Sequence, residues 1–250
     1  MIKIDLAGKS ALITGGTRGI GRGISRRLAE AGANTLAIYH ENESSAADSL
    51  AERQSFGSAV HRNLKADIGD ETDVTRVVQA TCSEFPDGFD YLILNAGIGL
   101  GGKVTEIDPA AWRHMFDVNL GSAFLLSRGL IPHMRRGGSI VAIGSGSGHD
   151  PIPDLAFYGA AKAGLVMFIA DLAQEVGPLG IRANVVSPGG TDAGNTGDSP
   201  DPAEVHGSAQ HNALGRRGVP DDVAGAVVFF CCNLSSFITG QAVRVNGGAI

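Results

Sequence analysis

Ser10-Ala-Leu-Ile-Thr14-Gly15-Gly16-Thr17-Arg18-Gly19-Ile20-Gly21 is a short apolar run that opens into a glycine-rich turn. The apolar part reads as a buried strand. From Gly19 onward the chain reads as a helix, because Ile20, Ile24, Leu28 and Ala31 recur at helical spacing. Strand, glycine turn and helix in that order make a cradle for a pyrophosphate. Glycine at 15, 19 and 21 lets backbone approach the phosphates, and the helix start points free N–H groups at them. Thr17, Arg18 and Ile20 fill out the same turn. Taken alone, the segment would also serve as a plain tight connection. A Walker-type loop is excluded, since no Gly-Lys-Ser/Thr follows.

Outward from this stretch the alternation continues. Further strands are expected at 34–39, 59–66, 91–94, 139–143, 182–186 and 241–245. Helices are expected at 19–31, 43–56, 71–84, 110–135 (bent or broken before Pro132), 155–176 and 220–233. Pro86 with Gly88, and Gly177-Pro178, are stop signals, and Pro220 starts the last helix. Strands alternating with helices, without a composition break, imply one doubly wound, Rossmann-type α/β domain over 1–250 with a mostly parallel, seven-stranded sheet. Glycines cluster at 15–23, 97–102, 144–148 and 189–197, where the expected strands end and a parallel sheet carries its ligand. The stretch 190–214 is irregular and too long for a plain connection, so it is the expected lid.

Bulk composition narrows the function classes. The chain has 250 residues, 43% hydrophobic and 18% charged, with net charge −6. That acidity argues against a nucleic-acid surface, which would want a basic stripe. No apolar run approaches bilayer length, and the start lacks the apolar stretch of a signal peptide. The expectation is a cytoplasmic protein with no membrane partner. Cys82, Cys231 and Cys232 do not form a disulfide framework and read as reduced thiols. The histidines show no metal-ligand spacing, so no metal is expected.

Three residues carry the chemistry. Tyr158 and Lys162 stand at i and i+4, on one helix face, and Ser145 lies thirteen residues before the tyrosine. A free phenol titrates near ~10, so a useful acid or base near neutrality needs a shift of roughly 3 units. A fixed cation such as Lys162 is one of few ways to supply it. Ser147, in the same Gly-Ser-Gly-Ser-Gly run, rivals Ser145. Neither serine has Gly two residues away on both sides, so a hydrolase nucleophile elbow is absent. At the end of the second strand stand Tyr39-His40, where sites preferring NAD place an acid. With Arg18 available to pair a 2′-phosphate, NADP(H) is the expected cofactor; Glu41, one position on, weighs the other way. Asp67 can accept from an adenine amino group beside Ile68, or it caps a strand end. Asn95-Ala96-Gly97 either closes a turn beneath the adenosine or is a structural turn only.

Taken together, these residues resemble the short-chain dehydrogenase/reductase family over nearly the whole chain. The resemblance rests on Thr14-Gly15, Gly19 and Gly21, Asp67, Asn95-Ala96-Gly97, Asn119, Ser145, Tyr158, Lys162, Pro188-Gly189 and the closing segment 238–248. It implies reversible reduction of a ketone or 3-oxoacyl-type carbonyl. Tyr158 would give the proton, Ser145 (favoured over Ser147 by family spacing) would hold the oxygen, and Lys162 would lower the tyrosine pKa and bind the nicotinamide ribose. Asn119 would kink its helix and hold a water linking Lys162 to solvent. Enoyl reduction, or dinucleotide binding without turnover, are the alternatives. The resemblance also implies a homo-oligomer, tetramer or dimer, and a small-molecule carbonyl substrate. The substrate pocket is expected near 98–103, 146–157 and 190–214, where Ile98, Ile152, Leu155 and Phe157 are either walls or packing. Two departures stand out. After Pro188-Gly189 the run Gly190-Thr191-Asp192-Ala193 lacks the usual second hydroxyl, which bears on the contact expected of Thr191. Gly144 occupies a position that is often Ser.

Overall fold

The structure is a computed structural model that describes residues 4–192 and 212–249. Seven parallel strands, β1 (Ser10–Thr14), β2 (Asn34–Tyr39), β3 (His61–Lys65), β4 (Phe89–Leu94), β5 (Met134–Ile143), β6 (Arg182–Pro188) and β7 (Ala242–Val245), form one sheet in the order β3-β2-β1-β4-β5-β6-β7. The expected doubly wound, single-domain Rossmann architecture is therefore present. The order reverses between β1 and β4, and a parallel sheet binds ligands outside the strand ends at such a switch point.

Strands buried on both faces read as continuous apolar runs rather than alternating ones. Every residue of β1 and of β4 is buried. Leu12 points to one side, into a core with Val74, Val77, Leu126, Leu130, Leu165, Ile169 and Leu172. Those residues come from helices α3 (Glu71–Glu84), α5 (Ser122–Leu130) and α6 (Ala156–Val176). Ala11 and Ile13 point to the other side, against Ile24, Leu28, Val223, Val227 and Phe230. These belong to α1 (Gly19–Glu30) and α7 (Pro220–Cys231). Helix α2 (Glu43–Gln54) packs on α1. Its first turn is capped by Asn42, whose side chain accepts from the Ser45 N–H, and α3 is capped in the same way by Asp70.

Three expectations need correction. The helix expected over 110–135 is two helices, α4 (Pro109–Phe116) and α5, joined by a π-helical turn at Asp117–Gly121. The break at Asn119 is the kink that the resemblance implied, and the break expected before Pro132 is a further short turn, Ile131–His133. Strand β5 then begins at Met134, five residues before the apolar run that announced it, with a register shift opposite Phe89 and Tyr91. Its polar start, Met-Arg-Arg-Gly-Gly, carries no alternation to read. Third, 156–179 is long and apolar enough to cross a membrane by length and composition, with mean hydropathy 1.4. Much of that apolarity serves the core, since Phe157, Ala161, Leu165, Ile169, Leu172, Ala173 and Val176 are buried, while Met167 is exposed. The expected lid lies, from 193 to 211, outside the described residues.

Candidate active site

The carboxyl ends of β1, β2 and β4 open onto a cleft of about 350 Å3. Gly15, Thr17, Arg18, Gly19, Ile20 and Gly21 line it from the first turn. Tyr39, His40, Asp67 and Ile68 line it at one end, and Asn95, Ala96 and Gly97 line it from the end of β4. A second space of about 240 Å3 shares Ile20, Asn95, Gly97 and Ile98 with the first, and adds Ser145, Tyr158, Lys162, Pro188, Gly189 and Thr191. The residues expected to bind the dinucleotide, together with Ser145, Tyr158 and Lys162, thus line two adjacent spaces that share Ile20, Asn95, Gly97 and Ile98.

The first turn is shaped for close approach. Gly15 and Gly19 have φ of 60° and 52°, conformations that a side chain would strain. A Cβ on Gly21 would collide with the Gly15 carbonyl. Arg18 sits at the N-cap of α1 without a side-chain cap, and no acid occupies the first helical turn. These features fit a bound pyrophosphate, which would take the N-terminal end of the helix dipole. Asn95 is a brace for this turn. Its amide donates to the Thr14 and Gly15 carbonyls at 2.8 and 3.1 Å, and the Asn95 and Ala96 N–H groups both donate to Thr14 Oγ1 at 3.0 Å. The Asn-Ala-Gly stretch is thus a structural turn that also walls the cleft.

At the far end, Asp67 Oδ1 accepts from the Gly69 N–H at 2.9 Å, and Oδ2 lies 3.7 Å from His40 Nε2. His40 Nδ1 in turn lies 3.7 Å from the exposed Glu41 carboxylate. Ile38, Asn42, His114 and Val118 also line this end, and the sequence reading missed them. His114 and Val118 are four apart and lie near Gly69, where a Cβ would come within 2.9 Å of Val118 and 3.6 Å of His114. That spacing is visible in the sequence, but nothing local ties this helix to the Asp67 turn.

The catalytic candidates gather on the wall of the second space. Lys162 is buried at 3% exposure, with Nζ 5.8 Å from the Tyr158 ring centroid and donating to the Ile143 carbonyl at 3.0 Å. Burial pulls its pKa down to about 8. Burial also pushes the Tyr158 phenol above its ordinary value, and a hydrogen bond with Ser145 pulls the other way. Burial and the Ser145 hydrogen bond are the causes that set the phenol here, while the Lys162 amine is turned to a backbone carbonyl. Ser145 Oγ accepts from the Ser147 N–H at 3.3 Å and from its hydroxyl at 2.9 Å.

Asn119 sits inside the π turn. Its amide donates to the carbonyls of Ile98 and of Met115, four residues back, at 2.9 and 3.0 Å. Two carbonyl partners settle which amide atom is the nitrogen. Competition for the Met115 carbonyl is a physical cause of the break in the helix. Asn119 Oδ1 is buried without a partner. A Cβ on Gly97 would lie 2.6 Å from that oxygen and 3.2 Å from Lys162 Nζ, so the two polar atoms border the same small space.

Both sequence departures have local accounts. Thr191 donates its hydroxyl to the Gly189 carbonyl at 3.1 Å and forms a parallel bridge with Gly218. Gly144 makes room for the Ser187 hydroxyl, which reaches His149 Nε2 at 2.8 Å; a Cβ on residue 144 would lie 2.6 Å from Ser187 Oγ. A Gly144→Ser variant should therefore lose about 1–3 kcal/mol of stability by overpacking. Adding Ser187→Ala should recover part of it. Denaturant titration of the single and double variants measures this, and equal stability of Gly144→Ser and wild type would refute it. Of the expected pocket walls, Ile98 lines both spaces, Ile152 is exposed, Leu155 is half-buried, and Phe157 is buried in the core while also lining a separate pocket with Ile107 and Trp112.

Comparison with known proteins agrees with this geometry. The family described as "Enoyl-(Acyl carrier protein) reductase" matches residues 15–249. An uncharacterized oxidoreductase of Bacillus subtilis, YmfI, is 36% identical, over 96% of this chain and 98% of its own length. The 3-oxoacyl-acyl-carrier-protein reductase FabG of Chlamydia muridarum is 36% identical, over 97% of this chain and 98% of its own. The crystal structure of a short-chain dehydrogenase from Burkholderia cenocepacia J2315 in complex with NADP superposes with a TM-score of 0.91 at 32% identity, covering 97% and 98% of the two chains. The chain therefore belongs to the short-chain dehydrogenase/reductase family, oxidoreductases that use a nicotinamide dinucleotide.

Proposed function

We propose that this protein reduces a small ketone or 3-oxoacyl-type carbonyl compound to the alcohol, reversibly, with NADPH. The observation that carries the reading is the convergence of Ser145, Tyr158 and Lys162 on one space, while the glycine turn borders the adjoining one. A bound reduced nicotinamide supplies the hydride. Tyr158 gives its proton to the carbonyl oxygen; burial holds that proton more tightly, and the hydrogen bond with Ser145 works against burial. Ser145 donates a hydrogen bond to the same oxygen, which strengthens as charge develops. Lys162 contributes a buried cation beside the phenol and a donor for the ribose. Asn119 Oδ1, unpartnered and next to Lys162 Nζ, suits a water that passes protons from that amine toward solvent.

NADPH is favoured because no carboxylate occupies the end of β2, where Tyr39 and His40 stand, and because Arg18 lines the cleft. Glu41 also lines it, 84% exposed, and tests the assignment. We expect kcat/KM with NADPH to exceed that with NADH, and Arg18→Ala to erode the difference. Equal or better turnover with NADH overturns the preference. The name of the matching family keeps enoyl reduction as a second reading. Product analysis separates them, since one yields a hydroxyl and the other a saturated chain. The reading is of a cytoplasmic homo-oligomer. Exposed Phe124 and Met167 on α5 and α6, and Phe237 and Val243 near the β7 edge, are surfaces suited to packing between copies. Light scattering would count the subunits.

A further inference from the structure

We propose that Ser147 is a positioning residue for Ser145: its N–H and its hydroxyl both donate to Ser145 Oγ, leaving Ser145 to present its own proton to the reacting oxygen. The inference rests on the reading of Ser145 and Tyr158 given above. A serine hydroxyl has two acceptor lone pairs and a single proton. Ser147 takes both acceptor positions, at 3.3 Å from its N–H and 2.9 Å from its hydroxyl. The remaining proton then has the Tyr158 phenol oxygen and an incoming carbonyl as acceptors. A carbonyl oxygen can only accept, so a Ser145 proton spent on Ser147 would leave it without this donor.

The position of Ser147 is enforced by packing. Residues Gly146–Gly148 form a single 3-10 turn that starts from extended Ser145, at φ −160°. This turn lies directly on α6. A Cβ on Gly159 would fall 2.7 Å from the Ser147 carbonyl oxygen, and a Cβ on Gly148 would fall 2.9 Å from the Lys162 carbonyl carbon. Behind the turn, His149 anchors it to β6 through Ser187. Ser147 thus sits at a set distance from both Ser145 and the helix that carries Tyr158. The hydrogen bond from Ser145 pulls the phenol pKa down against burial, so weakening the donor should let that pKa rise.

The test uses Ser147→Ala, Ser147→Thr, Ser145→Ala and Tyr158→Phe in the full chain. Ser147→Ala should lower kcat about tenfold, the range of one lost hydrogen bond, with unchanged dinucleotide Kd. Its Tyr158 phenolate absorbance should appear at higher pH than in wild type, the signal being assigned by subtracting Tyr158→Phe from a chain with three tyrosines. Ser147→Thr, which keeps the hydroxyl, should restore both. Wild-type kcat and titration in Ser147→Ala, with Ser145→Ala inactive, overturn the proposal and leave the active-site reading standing. A loss of kcat without any displacement of the phenolate titration also overturns it, since that is what a structural role would give. Full turnover in both Ser145→Ala and Tyr158→Phe would sink the active-site reading itself.

Discussion

Tyr158→Phe should lower turnover by a factor of ~10²–10⁴, the usual worth of a positioned general acid, while dinucleotide affinity stays at the wild-type level. The substitution removes one oxygen from a largely buried ring and leaves the ring's packing intact. Lys162 keeps its bond to the Ile143 carbonyl, and the glycine turn is untouched. The separation of kcat from binding is therefore the diagnostic. Retention of more than about a tenth of kcat would remove Tyr158 from the chemistry. The pH profile adds an independent check with a definite sign. A depressed lysine pKa means that the charge on Lys162 is present below about 8 and lost above it. The phenol, raised above its ordinary value, stays protonated through the same window. Reduction should therefore hold steady through neutral pH and decline as pH rises past about 8, and the limb belongs to the lysine. A profile that instead falls on the acid side of neutrality would contradict that assignment.

The direction of those shifts was not legible in the sequence, although the residues were. The i, i+4 spacing of Tyr158 and Lys162 places an amine near a phenol, and the amine lies 5.8 Å from the ring. Spacing does not report burial, and burial is what moves both groups. The same limit explains the other differences. The apolar stretches Ala11–Ile13 of β1 and Tyr91–Leu94 of β4 declare themselves, whereas the start of β4 carries the buried Asp90. The start of β5 does not declare itself, because its pairing is set by backbone register opposite β4 rather than by side-chain pattern. The break at Asn119 was implied by the resemblance but not by local pattern, since it depends on which carbonyl its amide can reach, and one of the two, that of Ile98, belongs to another segment. His114, on α4, and Val118, in the π turn, reach the cleft through tertiary packing that brings them beside Gly69. The glycine positions were the opposite case. Their meaning is carried by the missing side chain itself, so sequence and structure say the same thing.

Gly21→Ala puts that statement at risk and should lower dinucleotide affinity at least about tenfold. The added methyl would meet the Gly15 carbonyl and come within 2.5 Å of Asn95 Nδ2. The first obstacle is backbone, which cannot rotate aside as a long side chain would. The second is an amide already bonded to the Thr14 and Gly15 carbonyls. Relief therefore requires either opening the turn that lines the cleft or moving the start of α1 away from it. Both spoil the cradle. Forced overpacking of this kind costs about 1–3 kcal/mol, and at roughly 2–4 °C per kcal/mol for a chain of this size the melting temperature should fall by several degrees. A matched control is at hand in Gly225, on α7, where a Cβ would meet nothing within 4 Å. Gly225→Ala should leave dinucleotide binding unchanged and gain about 0.4–1 kcal/mol. If Gly21→Ala instead binds NADPH as the wild type does, the turn between β1 and α1 is an ordinary connection, and the phosphate cradle lies elsewhere.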